Sequence, residues 1–295
     1  MGCSCGKKEP LPEWFRQAVP EPLAMERMRS LLAETGLKTV CQGAHCPNTG
    51  ECWSRGLATF MILGDKCTRA CRFCAVEQGA GQEVSCEEPL LVAEAVRRLG
   101  LKYVVITSVT RDDLPDGGAE QFNRTVRAIR AVAPECGVEL LIPDFSGDEV
   151  ALDIVLESGP QVLGHNIETV RRLSAQLRSN SGHDRSLAVL RRIRALGRGV
   201  LVKSGFMVGL GETAAEIFAT LQELKSAGCD IVTIGQYLSP SKAERHFPVA
   251  RFVEPGEFAL YREAGLKLGI RYIASGALVR SSYMAEEGFK GCCAQ

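Results

Sequence analysis

Apolar and polar positions fall into two alternating rhythms along most of this chain. Short runs rich in β-branched and other apolar residues recur at 59–63, 103–107, 138–142, 162–164, 200–208 and 231–235, with a last one at 271–274. Runs of this length without polar alternation predict strands of a parallel sheet buried on both faces. Longer segments between them space their apolar residues by three and four, at 90–99, 119–132, 148–156, 185–196, 214–227 and 257–268, and predict helices. Start signals agree: Asp148 and Glu149 follow Ser146-Gly147, Thr213 precedes one helix, and Pro255-Gly256 another. The first 58 residues lack the rhythm; prolines at 10, 12, 20, 22 and 47 interrupt them, and one amphipathic run covers about 23–33. Six strand–helix alternations predict a parallel barrel or a doubly wound sheet. No strand opens into a Gly-x-Gly-x-x-Gly turn, so the even repetition favours barrel-like winding.

Composition narrows the function. With 35 basic and 35 acidic residues among 295, the formal net charge is zero, which argues against a general nucleic-acid or anionic-membrane binder. Neither 58–64 nor 199–210 is a membrane span, the first being too short and the second carrying Lys203. The N-terminus turns from Lys7-Lys8 into Glu9-Pro10 without the apolar core of a secretory signal, and Gly6 stands where a myristoylation signal wants Ser or Thr. The unusual figure is 13 cysteines beside 4 histidines. An odd number excludes a complete intramolecular disulfide framework, and a chain this long has no need of one. A cytoplasmic protein is expected, in which clustered cysteines serve as metal ligands or catalytic groups.

Six of the cysteines form two triplets, Cys41-x4-Cys46-x5-Cys52 and Cys67-x3-Cys71-x2-Cys74. Structural zinc prefers four ligands in close pairs, whereas three thiolates can hold three corners of a four-iron cluster and leave one iron open. Spacing alone leaves a six-thiolate zinc cluster or a pair of degenerate zinc ribbons as the alternative. Polar residues also gather at five successive strand ends: Thr107 to Asp113, Asp144, His165 to Glu168, Gly209 to Glu212, and Gln236. Such a ring is the pattern of a ligand-lined barrel mouth, although each residue taken alone could equally cap a helix or pair with a neighbour, as Asp112 and Asp113 could with Arg111, or Asn166 as a helix cap.

The second triplet, with Phe73 before its last cysteine and a strand just before it, resembles the loop of the radical S-adenosylmethionine (SAM) superfamily. The first triplet, in Cys46-Pro-Asn-Thr-Gly-Glu-Cys-Trp53, resembles one branch of it, the lipoyl synthases, and the similarity runs from about residue 12 to 285. It includes the segments from Thr107 to Ala119, Ile142 to Phe145, His165 to Val170, Lys203 to Thr213, Thr233 to Leu238, and Arg280-Ser-Ser-Tyr283. The resemblance implies a partial parallel (β/α)6 barrel over residues 59–275. An extension over 1–58 would carry the auxiliary-cluster cysteines, and a tail over 276–295 would cross the mouth. It implies insertion of two sulfur atoms at C6 and C8 of an octanoyl-lysine on a carrier protein, with SAM and two [4Fe–4S] clusters as cofactors. Cys67, Cys71 and Cys74 would hold the SAM-cleaving cluster; Cys41, Cys46 and Cys52 would hold the sulfur-donating one, completed by Ser282, with Ser281 as the alternative. Thr107 and Ser108 would meet the methionine amino group, Gly205, Met207, Gly209 and Glu212 would pack near the adenosine, and Asn166, Glu168 and Arg185 would contact ribose and carboxylate. Implied partners are octanoylated H protein or dehydrogenase E2 lipoyl domains, an electron donor such as ferredoxin or flavodoxin, and an iron–sulfur carrier for cluster repair. Another radical SAM sulfur-insertion enzyme of biotin-synthase type, or a non-enzymatic iron–sulfur or zinc protein, is the alternative. The sequence departs from the family pattern in Val162-Leu-Gly164 before His165, and in Ser179 to His183 before Asp184-Arg185. Among the other cysteines, Cys136 and Cys229 are expected in the core, and Cys3, Cys5, Cys292 and Cys293 in idle tails.

Overall fold

The computed structural model describes residues 11–17, 19–196 and 199–294. A 3-10 turn at Glu13–Phe15 leads into α1 (Pro22–Thr35), β1 (Lys38–Thr39), α2 (Val40–Gly43) and α3 (Thr49–Ser54). There follow β2 (Thr59–Ile62), β3 (Lys66–Cys67), β4 (Glu77–Gln78), α4 (Glu88–Leu99), β5 (Tyr103–Ser108), α5 (Ala119–Val132), β6 (Gly137–Leu141) and α6 (Glu149–Glu157). The chain continues through β7 (Val162–Gly164), α7 (Arg171–Leu177), α8 (His183–Ala195), β8 (Leu201–Val208), α9 (Ala214–Ser226), β9 (Ile231–Gln236), α10 (Pro255–Lys267), β10 (Tyr272–Gly276) and α11 (Ala285–Cys293).

The main sheet runs β1-β2-β5-β6-β7-β8-β9-β10, parallel throughout except for β1, which pairs antiparallel with β2. Its two edge strands are not paired with each other, so the barrel is open. Side chains alternate across the sheet, and the two faces differ sharply. On the outer face Phe60, Ile62, Val104, Ile106, Val138, Leu140, Leu163, Val202, Val232 and Ile234 are buried in the main core beneath the helices. Each such side chain contributes about 1.5–3 kcal/mol of burial free energy. The inner face carries Thr59, Thr107, Glu139, Gly164, Lys203, Gly205, Thr233 and Gly235. Polar and small residues there leave space at the upper end and a polar layer below it. In that layer Lys203 Nζ lies 2.6 Å from Glu139 Oε1, and Tyr103 donates its hydroxyl to Glu139 Oε2 at 2.9 Å.

Helix starts follow the sequence signals. Asp148 accepts from Val150 and Ala151 N–H, and Thr213 forms a capping box with Glu216. A second capping box joins Glu254 and Glu257 beside Pro255. The short α7 carries no side-chain cap and was not signalled.

The C-terminus corrects one expectation. After crossing the mouth, the chain enters the barrel rather than remaining an idle tail. Ala285, Phe289 and Cys292 of α11 pack against Tyr103, Val105, Val162, Leu201, Ile231 and Tyr272, on the inner face of the sheet. The Phe289 ring stacks on Tyr103 at 5.7 Å, and Cys292 is fully buried while Cys293 is exposed. Cys136 and Cys229 are core residues as expected. Cys3 and Cys5 lie outside the described residues.

Candidate active site

Chain leaving β2 turns through Leu63 and Gly64, both at positive φ, and is gripped at once: both Glu88 carboxylate oxygens accept from Leu63 N–H. The loop that follows is closed by the β3–β4 clip, which pairs Cys67 with Gln78. Backbone donors point at its sulfurs. Arg69 N–H reaches Cys67 Sγ at 3.4 Å, Ser179 N–H reaches Cys71 Sγ at 3.5 Å, and Val76 N–H serves Cys74. Donors of this kind favour thiolate and tune a cluster bound to it. The loop is braced by Arg69, which donates twice to Asp112 at 2.7 Å and once to Asp144 at 2.7 Å. Asp112 therefore pairs with Arg69, and only Asp113 pairs with Arg111. Burial pushes the Cys74 thiol up to about 12 and raises Cys71 as well. Thiols held this high ionise when a metal displaces the proton.

The first triplet lies on a compact fold of its own. Thr39 caps α2, placing Cys41, and Cys46 N–H returns to the Cys41 carbonyl at 3.0 Å. Thr49 Oγ1 hydrogen-bonds to the carbonyls of both Cys41 and Cys46, and Cys52 follows on α3. Burial, then the neighbouring thiols and Glu51, push Cys52 up to about 12. The C-terminal segment is stitched to this unit. Buried Asn48 donates to the Leu278 carbonyl at 2.6 Å, Tyr283 OH reaches Glu51 at 3.2 Å, and Arg55 meets Met284 Sδ at 3.4 Å. Arg280 is half-buried, and its charge interacts with Cys46.

Both triplets open on one cavity of about 1490 Å³ at the upper end of the barrel. Ser281 and Ser282 line it, as do Thr107, Ser108, Asn166, Glu168, Gly205 and Met207. Ser108 Oγ and Asn166 Oδ1 are buried there without a hydrogen-bond partner, which suits a polar ligand in the cavity. Desolvation raises the Glu168 carboxyl, opposed by Arg178 and Asn166. His165 is spent on structure: its ring nitrogens bond the Ile142 carbonyl and Ser186 Oγ, both at 2.9 Å, and burial drops it to about 4, keeping it neutral.

Three expected residues are not brought to the cavity. Arg185 donates to the Asn180 carbonyl at 3.0 Å and lies 3.5 Å from Asp144. Glu212 turns back to accept from Gly209 and Leu210 N–H at 2.6 and 2.9 Å, so it closes its own turn. Gly209 has φ +93°, and a Cβ there would meet the Arg251 carbonyl at 2.6 Å, so its glycine serves the backbone. Arg178 was missed: it lines the cavity, hydrogen-bonded to Ser186 at 2.6 Å. Arg69 and Asn48 were also missed, although both lie inside the cysteine motifs.

Among the described residues, no three His, Cys, Asp or Glu side chains converge as one ion would require. Two separate thiol triplets on a shared cavity suit clusters, whose corner irons are bound singly. An open parallel barrel with such a loop at the exit of its first parallel strand defines a radical SAM enzyme. The Radical SAM superfamily model matches residues 61–224. The chain resembles the crystal structure of Streptococcus suis SuiB bound to S-adenosylmethionine, with a TM-score of 0.57 and 10% identity, covering 78% of this chain and 55% of that one. It also resembles methylornithine synthase, with a TM-score of 0.52 and 16% identity over 91% and 86% of the two chains. These two likenesses carry the fold.

Full-length relatives narrow the class. The lipoyl synthase of Rubrobacter xylanophilus is 51% identical, covering 94% of this chain and 85% of the relative. That of Caldicellulosiruptor saccharolyticus is 50% identical over 95% and 97% of the two chains, and that of Pyrobaculum arsenaticum 51% over 94% of each. The chain belongs to the lipoyl synthase family. The family inserts sulfur at C6 and C8 of a protein-bound octanoyl-lysine, acts on lipoyl-carrier proteins, and uses SAM with [4Fe–4S] clusters. No helix among the described residues is long and apolar enough to cross a membrane.

Proposed function

We propose that Cys67, Cys71 and Cys74 hold the SAM-cleaving cluster, and that Cys41, Cys46, Cys52 and Ser282 hold the auxiliary cluster that gives up its sulfur. The observation that carries this is the convergence of both triplets and the tail on one cavity. Ser281 is engaged by Asn166, which leaves Ser282 for iron. A serine oxygen is a harder, more replaceable ligand than thiolate, fitting a cluster that comes apart in turnover. When bound, these groups supply one-electron cleavage of SAM, a hydrogen-abstracting radical and the sulfide for two C–S bonds.

The chain's own residues bind, orient and exclude. Ser108, with Thr107 beside it, receives the methionine amino group; the Thr107 hydroxyl is fixed by its bond to the Leu141 carbonyl at 2.8 Å. Asn166 Oδ1 and Glu168 accept the ribose hydroxyls, and Arg178, in place of Arg185, faces the carboxylate. Gly205 lines the cavity and lets Thr233 and Asn166 pack closely beside it, since a Cβ there would lie 2.3 Å from Thr233 Oγ1 and 3.1 Å from Asn166 Oδ1. Val40, Leu57, Met61 and Val105 give the cavity an apolar wall against which an octanoyl chain lies away from water. The finer partners are an octanoylated H protein or E2 lipoyl domain, ferredoxin or flavodoxin as reductant, and an iron–sulfur carrier that rebuilds the auxiliary cluster. A reducing cytoplasm suits the described cysteines, all of which are free.

The test uses two triple substitutions. Replacing Cys41, Cys46 and Cys52 by Ala should preserve reductive SAM cleavage and abolish sulfur insertion into an octanoyl-lysine peptide. Replacing Cys67, Cys71 and Cys74 should abolish SAM cleavage. Lipoyl product from the first variant, or 5′-deoxyadenosine from the second, would overturn the assignment.

A further inference from the structure

The tail between β10 and α11 makes one contact that belongs to neither cluster. It crosses β9 so closely that a Cβ on Gly235 would lie 2.1 Å from the Val279 carbonyl oxygen. Arg280 closes the bend by donating to that carbonyl at 2.7 Å. The next residue, Ser281, accepts a hydrogen bond from Asn166 Nδ2 at 3.1 Å. Asn166 follows β7 on the far side of β8, and Gly205 clears room for it: a Cβ there would lie 3.1 Å from Asn166 Oδ1. Two glycines on adjacent strands therefore allow tail and carboxamide to meet.

The bond has a direction. With Nδ2 committed to the tail, Asn166 presents Oδ1, a buried acceptor without a partner, on the wall of the cavity. Without Ser281 the carboxamide keeps only its interaction with the Glu168 carboxyl, and its last torsion, whose rotamer well is broad, is less restrained. Ser281 is also covalently next to Ser282, and the same segment is held to the first cysteine unit through Leu278 and Tyr283.

We propose that Ser281 is a positioning residue which, by fixing Asn166, couples the seating of the tail on the auxiliary cluster to the binding of SAM. The proposal rests on the assignment above of Asn166 to SAM and of Ser282 to the auxiliary cluster. Coupling of this kind is reciprocal: whatever seats the tail tightens SAM, and SAM holds the tail seated. SAM then binds best to the enzyme whose auxiliary cluster is intact, and most weakly when a radical would have no sulfur to meet.

The experiment measures SAM affinity by equilibrium dialysis on reconstituted protein, without turnover. The proteins are wild type, Ser281→Ala, the variant with Cys41, Cys46 and Cys52 changed to Ala, and the combination. Ser281→Ala and loss of the auxiliary cluster should each weaken SAM about fivefold, the size of one neutral hydrogen bond. The combination should be no more than about twofold weaker than either, because both remove the same restraint. Affinity of Ser281→Ala within twofold of wild type, or losses that multiply in the combination, would overturn the coupling. Asn166→Ala separates the layers. If it weakens SAM while Ser281→Ala does not, the coupling alone fails. If it leaves SAM unchanged, the assignment of Asn166 beneath the proposal fails.

Discussion

The most exacting test of the barrel's construction is the substitution Glu139→Gln. Glu139 and Lys203 form an ion pair at 2.6 Å with side chains 2% and 4% exposed, on the inner face of the sheet. At that separation and an effective dielectric of about 20, the gross attraction is about 6 kcal/mol. Removing two ions from water costs several kcal/mol each, so the pair as a whole contributes little net stability. Taking away one charge is different, because Lys203 keeps its desolvation cost and loses its counterion. Glutamine preserves shape and can still accept the Tyr103 hydroxyl, so the loss is electrostatic; the expected destabilisation is about 3–5 kcal/mol. For a domain of this size that is a fall in melting temperature of about 6–10 °C. The double substitution Glu139→Gln with Lys203→Met removes the stranded charge and should return to within about 1–2 kcal/mol of wild type. Denaturant midpoints of the cluster-free protein measure all four members of the cycle. A single variant within about 1 kcal/mol of wild type, or a double no better than either single, would refute the account of a compensated buried pair.

Other expectations concern the links between units. Asn48→Ala removes the donor to the Leu278 carbonyl, leaving a buried acceptor unmet at a cost of about 1–3 kcal/mol. It should preserve 5′-deoxyadenosine formation while lowering dithiolated product at least about tenfold, the equivalent of about 1.4 kcal/mol; equal loss of both products would show that the contact does not serve the tail. Arg69→Lys exchanges a planar fork spanning Asp112 and Asp144 for a point charge, and should reduce iron bound by the second triplet at unchanged reconstitution. Full iron content would contradict the bracing role. Asp144 gives a pH signature. Burial pushes its carboxyl up, but hydrogen bonds from Arg69 and Ser181 and the Arg69 charge outweigh this and leave it well below the usual carboxylate range. Its contribution is therefore complete above the unfolded value near ~4 and is lost as pH falls through the folded one. Asp144→Asn should flatten the acid limb of the stability curve, and an unchanged limb would mean the interaction is absent in solution.

What was legible in the sequence follows from which face of an element decides its pattern. The strands were visible because their outer faces are continuously aliphatic and dominate the local text. Their inner faces were hidden inside the same runs: Lys203 and Glu139 read as interruptions of apolar stretches, although they pair over β7 on the inner face of the sheet. The cysteine triplets were legible because covalent spacing along a loop survives without knowledge of the fold. Arg185 and Arg178 show the opposite case. Arg185 lies on the foreseen helix α8, whereas Arg178 directly follows α7, which carried no start signal, and only the chain's path brings Arg178 to the cavity. Asn166 had a helix cap as its local reading, whereas the hydrogen bond that ties it to the tail comes from a residue 115 positions away. Long-range pairing of that kind has no local periodicity from which to infer it.

The burial of α11 gives the distant pairing its physical basis. A serine on a free C-terminal tail would reach the cysteine unit of the N-terminal extension only at the cost of ordering the tail on each approach. Phe289 on Tyr103 and Cys292 among Val162 and Ile231 hold the helix inside the barrel instead. The bridge between Gly276 and Ala285 is thereby anchored at both ends, by β10 and by α11. Loop closure then concerns only the few residues that carry Arg280, Ser281 and Ser282, and its entropy is small. Asn48 and Glu51 add contacts from the other side, so the tail is seated by several weak bonds, to which the proposed Ser282–iron bond would add one more. On the proposed assignment, Ser282 would release iron without the tail leaving the mouth, because its position would not depend on that single bond. The same arrangement predicts that Phe289→Ala, which touches neither triplet, lowers sulfur insertion more than SAM cleavage and exposes Cys292 to thiol reagents. Unchanged insertion together with newly reactive Cys292 would show that the anchored helix serves stability alone.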